Sequence, residues 1–134
     1  MKRRLLSAAA FGLVFFSVSL VVVGLREVGR GEAALERSDR AFHGGDLGTA
    51  LQQARQAGLS YVPGAAHVRA AEERLEAIAR GAEADGQHEL ARRAWDALRL
   101  VDEETDYPGR APNAAGERAR AALRRLDQDA AGHF

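Results

Sequence analysis

A long stretch without any charged side chain lies near the N-terminus and constrains the fold more than any other feature. It runs from Leu5 to Leu25 and consists mostly of Leu, Val, Phe and Ala. As an α-helix rising about 1.5 Å per residue it extends roughly 31 Å, close to the ~30 Å hydrocarbon core of a bilayer. The sequence therefore predicts a single transmembrane helix over residues 5–25. A basic tail of residues 1–4 precedes this helix, and a soluble domain of residues 26–130 follows it.

A cleaved signal peptide is the alternative interpretation of this stretch. The basic cluster Lys2-Arg3-Arg4 suits the n-region of such a peptide. However, the apolar stretch is longer than the ~7–15 residues of a typical h-region, and no A-x-A cleavage site follows it. These features favour an uncleaved anchor. Cleavage would instead leave a secreted, soluble helical protein.

The basic residues on either side of the stretch bear on its orientation. The compact cluster Lys2-Arg3-Arg4 favours a cytoplasmic N-terminus, whereas Arg26, Arg30, Arg37 and Arg40 beyond the stretch leave the reverse orientation open. We therefore expect a single-pass protein of a bacterial inner (cytoplasmic) membrane with an extracytoplasmic helical domain. Ala8 and Gly12 form a small-xxx-small pair that could let another transmembrane helix pack closely.

Composition and motifs exclude several function classes. The 134-residue chain has no cysteine, and its 19 basic and 19 acidic residues give a net charge of +0. Disulfides and thiolate sites are therefore excluded, and the basic excess typical of nucleic-acid binders is missing. No metal-binding, phosphate-loop or nucleophile-elbow motif occurs. We predict no enzyme activity, catalytic residue, metal, cofactor or small-molecule substrate.

Isolated polar residues are expected to be solvated. His43, His67 and His88 fall at predicted helix ends, and the clusters Glu72-Glu73 and Asp102-Glu103-Glu104 fall on predicted polar faces. The acidic end of the second cluster opposes the helix dipole, which suggests that this part of the chain meets a cation or a basic partner.

Beyond the apolar stretch, the periodicity is that of amphipathic helices. It predicts one hairpin over about 28–59, a second over about 66–104 and a fifth soluble-domain segment, a capping helix, over about 113–129. Gly44-Gly45 and Asp85-Gly86 mark the turn within each hairpin. The apolar stripes that should form the core are Ala34, Leu35, Ala41 and Phe42; Leu47, Ala50, Leu51, Ala54 and Ala57; Val68, Ala71, Leu75, Ile78, Ala79 and Ala82; Leu90, Ala91, Ala94, Trp95, Leu98 and Val101; and Ala119, Ala122, Leu123 and Leu126.

The two hairpins form an internal repeat. Gly45 to Ala50 aligns with Gly86 to Ala91 at an offset of 41 residues, each segment opening a second helix. This pattern of a turn glycine followed by a small alanine resembles the tetratricopeptide repeat (TPR), although the family's usual period is about 34 residues. The resemblance implies an all-α, TPR-like short solenoid, in which Ala50 and Ala91 allow close helix packing and Trp95 is a core residue. A generic antiparallel helical bundle is the alternative.

The resemblance also implies a concave groove lined by the first helix of each hairpin. Such a groove would be acidic with an apolar patch and would suit a basic, partly apolar peptide of a partner protein. We therefore expect a non-enzymatic, membrane-tethered interaction module or scaffold, an accessory or assembly subunit of a bacterial envelope complex. The alternative is a structural subunit that packs through its transmembrane helix into a larger integral-membrane complex. The predicted groove positions are Glu32, Leu35, Asp39, Phe42 and His43 in the first hairpin and Glu73, Glu76, Arg80, Glu83 and Ala84 in the second.

Overall fold

The described part of the chain is all-α, as the periodicity predicts. The computed structural model describes residues 2–60, 65–106 and 113–131, although the side chains of residues 2–16, 18–20 and 24 are not among those described. These ranges contain five helices and no strand. The helices are α1 (Lys2–His43), α2 (Leu47–Leu59), α3 (Ala66–Ala84), α4 (His88–Glu104) and α5 (Ala114–Ala131).

The first helix is longer than any other element. It has 42 residues, which corresponds to roughly 63 Å. It passes without interruption through Gly24, Gly29 and Gly31, although glycine in the middle of a helix is destabilising. Of the positions of α1 whose burial is described, Gly31 is the first buried one, and it lies against the His67 ring of α3 so closely that a methyl group there would overlap the ring. The helix therefore joins the apolar stretch and the domain as one rigid rod.

The turns within the two hairpins have the same backbone geometry. Gly45 and Gly86 have φ of 79° and 71°, in the left-handed region that glycine adopts without penalty. The amide of Asp46 donates to Ala41 O at 2.9 Å. This bond closes the helix end in the manner of a Schellman motif.

The second turn repeats this hydrogen bond 41 positions later, where the Gln87 amide donates to Ala82 O at 2.8 Å. Ala50 and Ala91, the small residues that follow each turn, are both 0% exposed. The 41-residue repeat in the sequence is thus a repeat of backbone conformation and of burial.

The helices pack in two rows. Each helix contacts its neighbour in the chain, and contacts also join α1 to α3, α3 to α5 and α2 to α4. One row consists of α1, α3 and α5, and the other consists of α2 and α4. The last helix lies against α4 and touches α3, which covers the flank of the second hairpin as a capping helix would.

Most of the large core side chains lie in the second hairpin. The main cluster is built around Leu75, Ile78, Trp95, Leu98 and Val101, with alanines of α2, α4 and α5 around them. The predicted stripes of α2 to α5 all contribute to burial. A smaller cluster contains only alanines, with Leu35 packed against it; these are Ala34, Ala57 and Ala71.

Candidate partner-binding surface

The predicted groove lies on one side of α1 and α3, which we call the first-helix face. Its centre is an intramolecular contact, because Arg74 of α3 reaches across to α1. Its Nε donates to Asp39 Oδ1 at 2.8 Å, and its guanidinium lies 4.3 Å from the centroid of the Phe42 ring. His43 meets the edge of the same ring, with the ring centroids 6.0 Å apart. Arg74 therefore covers part of both Asp39 and Phe42.

The α3 carboxylates of this face are paired with arginines, two of them from α5. Arg118 donates to both oxygens of Glu76 at 2.8 and 3.0 Å, and Arg80 donates to Glu76 Oε1 at 2.6 Å. The hydrogen bond from Arg118 is the largest cause holding the pKa of Glu76 below its ordinary value, and the charge of Arg80 adds to it. Because α5 supplies Arg118, the face is less acidic than the residues of α1 and α3 alone suggest.

Glu83 lies on the same helix as Glu76, near the C-terminal end of α3, and it is also paired with an arginine of α5. Its carboxylate accepts a hydrogen bond of 2.6 Å from Trp95 Nε1 and two from Arg125 Nη2, at 2.7 and 2.8 Å. Glu83 therefore anchors the core indole and α5, which limits what it can offer to a partner.

The remaining positions of the face are more open. Glu32 and Ala84 are exposed, and Glu73 has only a loose contact of 3.9 Å with Arg69. Leu35 is half-buried against the alanine cluster. The face thus keeps two exposed carboxylates beside a half-buried apolar patch.

Two carboxylates that the sequence predicts to be solvated are buried instead. Glu72 is 6% exposed and accepts a hydrogen bond of 2.8 Å from the Asn113 side chain, just before α5. Asp102 is 8% exposed and pairs with Arg120 of α5 at 2.8 Å. The prediction of solvent exposure was wrong for both, because Asn113 contacts Glu72 while Arg120 and Gly116 of α5 lie against Asp102.

The acidic end of α4 therefore has a basic partner within the molecule. Besides its pair with Arg120, Asp102 lies against Gly116, where any side chain would overlap its carboxylate. Glu103 pairs with Arg99 of its own helix at 2.7 Å. The sequence indicated that a cation meets this segment, and Arg120 is the cation that the structure places there.

His67 is also buried, contrary to the expectation for a histidine at a helix end. It is 5% exposed, and its Nε2 lies 2.8 Å from Ser60 O. The carbonyl accepts, so Nε2 carries the proton. His67 therefore fastens the start of α3 to the end of α2, against Gly31 of α1.

Ser38 is a polar residue that lies in the core, whereas Arg37 beside it is exposed. The Ser38 hydroxyl donates to Ala50 O at 2.7 Å. The periodicity of apolar residues missed this position because a hydroxyl can fill a core site when it donates to a carbonyl of a neighbouring helix, here α2.

A cleft of about 620 Å³ opens between the end of α3, the start of α4 and the end of α5. An ion pair between Arg92 and Asp127 joins α4 to α5 near this cleft. Among the residues that the structure describes, no group of three or more His, Asp or Glu side chains is placed to hold a metal ion. The residues lining the cleft are Glu83, His88, Glu89, Arg92, Arg125, Leu126, Asp129 and Ala130.

The predicted packing residues of the membrane segment, Ala8 and Gly12, lie in α1 but outside the described side chains. Further along the helix, Val21, Val22, Val23 and Leu25 are described and are 51–68% exposed. Within the part of the chain that the structure describes, no helix is long and apolar enough to span a membrane.

Comparison of the chain with protein-family models, with curated proteins and with solved structures finds no match. The tetratricopeptide-repeat resemblance therefore stays a prediction.

Proposed function

We propose that this chain is a non-enzymatic, membrane-tethered protein-interaction module that serves as an accessory or assembly subunit of a bacterial envelope complex. The observation that carries the proposal is the continuity of α1. This one helix contains the uncharged stretch of residues 5–25 and, further on, the packed positions Gly31, Ala34 and Ser38 of the domain.

The exposure of α1 just before the domain supports a lipid environment for its N-terminal part. Val21, Val22 and Val23 are 61%, 51% and 58% exposed. Successive residues of a helix project about 100° apart, so these three valines span an arc of about 200° around the helix. A helix packed on one partner would bury one stripe, whereas a helix that is apolar all round is typical of a bilayer or a protein interior.

The tether between the two parts is short. Six residues separate Leu25 from Gly31, or about 9 Å of helix. Held so close to the bilayer, the domain would meet partners in the same membrane at a high effective concentration, which compensates for a small binding surface.

Membrane attachment is tested with the full chain. Arginines at Val14 and Phe15, near the middle of the predicted span, should each cost about 2.5–3.5 kcal/mol of insertion free energy. We expect this double variant to leave the membrane pellet during an alkaline wash. The matched control adds two arginines at the exposed Gln52 and Gln56 of α2. Equal retention of both variants would contradict a transmembrane anchor.

Orientation can be tested cleanly because the chain has no cysteine. Gln128→Cys places a thiol on the exposed side of α5, and Lys2→Cys places one in the basic tail. If the domain is extracytoplasmic, an impermeant maleimide will label the first variant in intact cells and the second only after lysis. The opposite pattern would reverse the proposed orientation.

The partner surface that we propose is the first-helix face. Its exposed Glu32 and Glu73 beside half-buried Leu35 and Phe42 would suit a basic, partly apolar segment of another protein. Alanine at Leu35 and Phe42 would also disturb the core, because both pack against it. Charge reversal at the two glutamates separates binding from folding.

Glu32→Lys with Glu73→Lys should therefore abolish co-purification of the partner from gentle detergent extracts. The matched control, Glu104→Lys with Asp106→Lys, reverses two exposed carboxylates beyond this face. If both variants retain the partner equally, the first-helix face is not the binding surface.

The exposed valines also fit the alternative of a structural subunit, whose membrane helix would pack among helices of a larger complex. Replacement of residues 5–25 by an unrelated apolar helix separates the two functions. The interaction module should still capture its partner, whereas the structural subunit should lose the complex.

A further inference from the structure

A row of arginines follows one side of α1. Arg26, Arg30, Arg37 and Arg40 are spaced by four, seven and three residues, which keeps them within an arc of about 80° over roughly 21 Å of helix. All four are exposed, and the exposed Ala33 occupies the position between the second and the third. We call this set the arginine row. It continues the uncharged stretch, since Arg26 directly follows Leu25.

The row lies away from the side of α1 that packs in the domain. Helical spacing places it about 110° from the mean direction of Gly31, Ala34 and Ser38, which are buried. It is thus on a flank of α1 that the described helices leave open.

These arginines differ from those of the second hairpin and α5 in having few partners. In the described ranges, Arg26, Arg37 and Arg40 make no ion pair, and Arg37 only donates to Ala33 O of its own helix. Arg30 pairs with Glu27 at 2.9 Å, while its side chain stays 68% exposed. The nearest exposed carboxylates on the adjoining side of α1, Glu32 and Glu36, form no described ion pair with the row.

The contrasting arginines hold carboxylates across helix boundaries. Arg74 pairs with Asp39, Arg118 with Glu76, Arg120 with Asp102 and Arg125 with Glu83. The row therefore contributes little to the fold that the structure describes, and its charge is available to another molecule.

The shape of the row favours an elongated acidic partner over a lipid surface. Twelve residues, about 18 Å of helix, separate Leu25 from Arg37. The headgroup layer on each side of a bilayer is only about 5–8 Å thick. If α1 spans the membrane, lipid headgroups would reach Arg26 and Arg30 but not Arg37 or Arg40. An acidic helix running beside α1 would reach all four.

We propose that the arginine row binds an acidic helix of a partner protein, with carboxylates spaced alternately by four and three residues. The small side chain of Ala33 allows the two helices to approach closely at the middle of the contact. The preference for protein over lipid rests on the proposed membrane anchor, whereas the row itself does not. This site is separate from the first-helix face and has the opposite charge.

The test uses the full chain in detergent micelles and a fluorescent helical peptide with five glutamates at that spacing on an alanine and glutamine background. A second peptide of the same composition distributes its glutamates around all sides. We expect the first peptide to bind about tenfold more tightly. Binding should weaken as salt is raised, because exposed ion pairs are screened.

Arg37→Gln with Arg40→Gln should weaken the first peptide's binding about tenfold, in line with two exposed ion pairs of up to 1 kcal/mol each. The matched control is Arg93→Gln with Arg124→Gln, two exposed arginines of α4 and α5 that also lack a described ion pair. This control should bind like the unmodified chain, and circular dichroism should show equal helicity for all three proteins.

Three results would overturn the proposal: equal affinity for the two peptides, equal loss in the two double variants, or binding to vesicles rich in anionic lipid that depends on Arg37 and Arg40 while neither peptide binds. The first two results would show that binding depends only on net charge. The third would show that the arginine row binds lipid headgroups. None of them alters membrane retention or the Glu32 and Glu73 result, so the proposed function stands or falls separately.

Discussion

The two hairpins share a turn but differ in what they bury. Positions related by 41 residues hold Ala54 and Trp95, Ala57 and Leu98, and Ser38 and Ala79, all of them buried. In the second hairpin the large side chains fill the core, and in the first hairpin alanines and one hydroxyl bring the helices close together.

Their arginines differ in the same way. In the second hairpin and α5, arginines such as Arg118 and Arg120 close the structure by pairing with carboxylates of other helices. In α1, Arg26, Arg37 and Arg40 make no ion pair within the described residues. The second hairpin and α5 thus hold most of the large buried side chains and cross-helix ion pairs, whereas α1, which continues into the apolar stretch, has three arginines without an ion pair among the described residues.

The largest effect should come from the core of the second hairpin. Trp95→Ala removes a side chain that is 4% exposed together with its hydrogen bond to Glu83, and we expect a loss of about 3–5 kcal/mol in unfolding free energy. Urea denaturation of the full chain in micelles, followed by far-UV circular dichroism, measures it. Trp95→Phe keeps most of the apolar area and isolates the hydrogen bond. A loss below about 0.5 kcal/mol for Trp95→Ala would remove the contrast between the hairpins.

The contact between the hairpins should be next in size. A methyl group at Gly58 of α2 would lie 2.7 and 2.8 Å from the two methyl carbons of Val101, which is fully buried and stiff at χ1. We expect Gly58→Ala to lower the melting temperature, at a cost of about 1–3 kcal/mol from overpacking.

The control for that variant is Gly81→Ala in α3, where a methyl group would meet no atom within 4 Å. Alanine there should stabilise the helix by roughly 0.5–1 kcal/mol. If both substitutions shift the melting temperature in the same direction, helix propensity and not the α2–α4 contact governs the result.

A smaller effect is expected at the buried hydroxyl of the first hairpin. Ser38→Ala removes the hydrogen bond to Ala50 O and should cost about 0.5–1.5 kcal/mol. The reciprocal change, Ala79→Ser, puts a hydroxyl at the equivalent position among larger apolar side chains. Thermal melts of both variants and of the double variant measure whether the two sites are interchangeable. Stabilisation by Ser38→Ala would show that the hydroxyl is only a space filler.

The smallest effect concerns acid stability. The pKa of Glu76 lies below its ordinary value of 4.5, mainly because of the hydrogen bond from Arg118. A carboxyl whose pKa is lowered on folding stabilises the protein above its unfolded pKa, and this contribution is lost as pH falls through the folded pKa. We therefore expect Glu76→Gln to flatten the decline in melting temperature below about pH 4.5. Glu73→Gln, on an exposed and loosely paired neighbour, is the control and should leave that decline nearly unchanged.

Much of the fold could be predicted because helix periodicity and turn glycines are local signals. The predicted bounds of the four soluble segments from 46 to 129 lie within about two residues of α2 to α5. The core stripes contain the buried apolar side chains of the described ranges except Ala97 and Ala115, but not the buried polar ones. Gly45 and Gly86 have positive φ, which favours glycine, so the spacing of these two glycines indicates the repeat from the sequence alone.

The candidate site was harder to predict, because burial of a polar residue depends on a helix distant in sequence. Glu72 and Asp102 are polar residues whose partners, Asn113 and Arg120, lie 41 and 18 residues further along the chain. A signal did exist, since Glu76–Arg118 and Glu83–Arg125 are 42 residues apart, close to the repeat offset of 41. Residues one repeat apart lie side by side in stacked hairpins, so opposite charges at that offset indicate cross-helix pairs.

Because α1 is unbroken, the number of residues between the apolar stretch and the domain sets the rotation of the domain about the helix axis. Each residue added between Leu25 and Gly31 would rotate the domain about the helix axis by about 100° relative to the apolar stretch, whereas four added residues would rotate it by only about 40°. The directions in which the arginine row and the first-helix face point, relative to the apolar stretch, are thus set by the six positions from Leu25 to Gly31. Insertions of one to four alanines would turn the domain stepwise, and any partner held by both parts of the helix would be lost and then nearly regained.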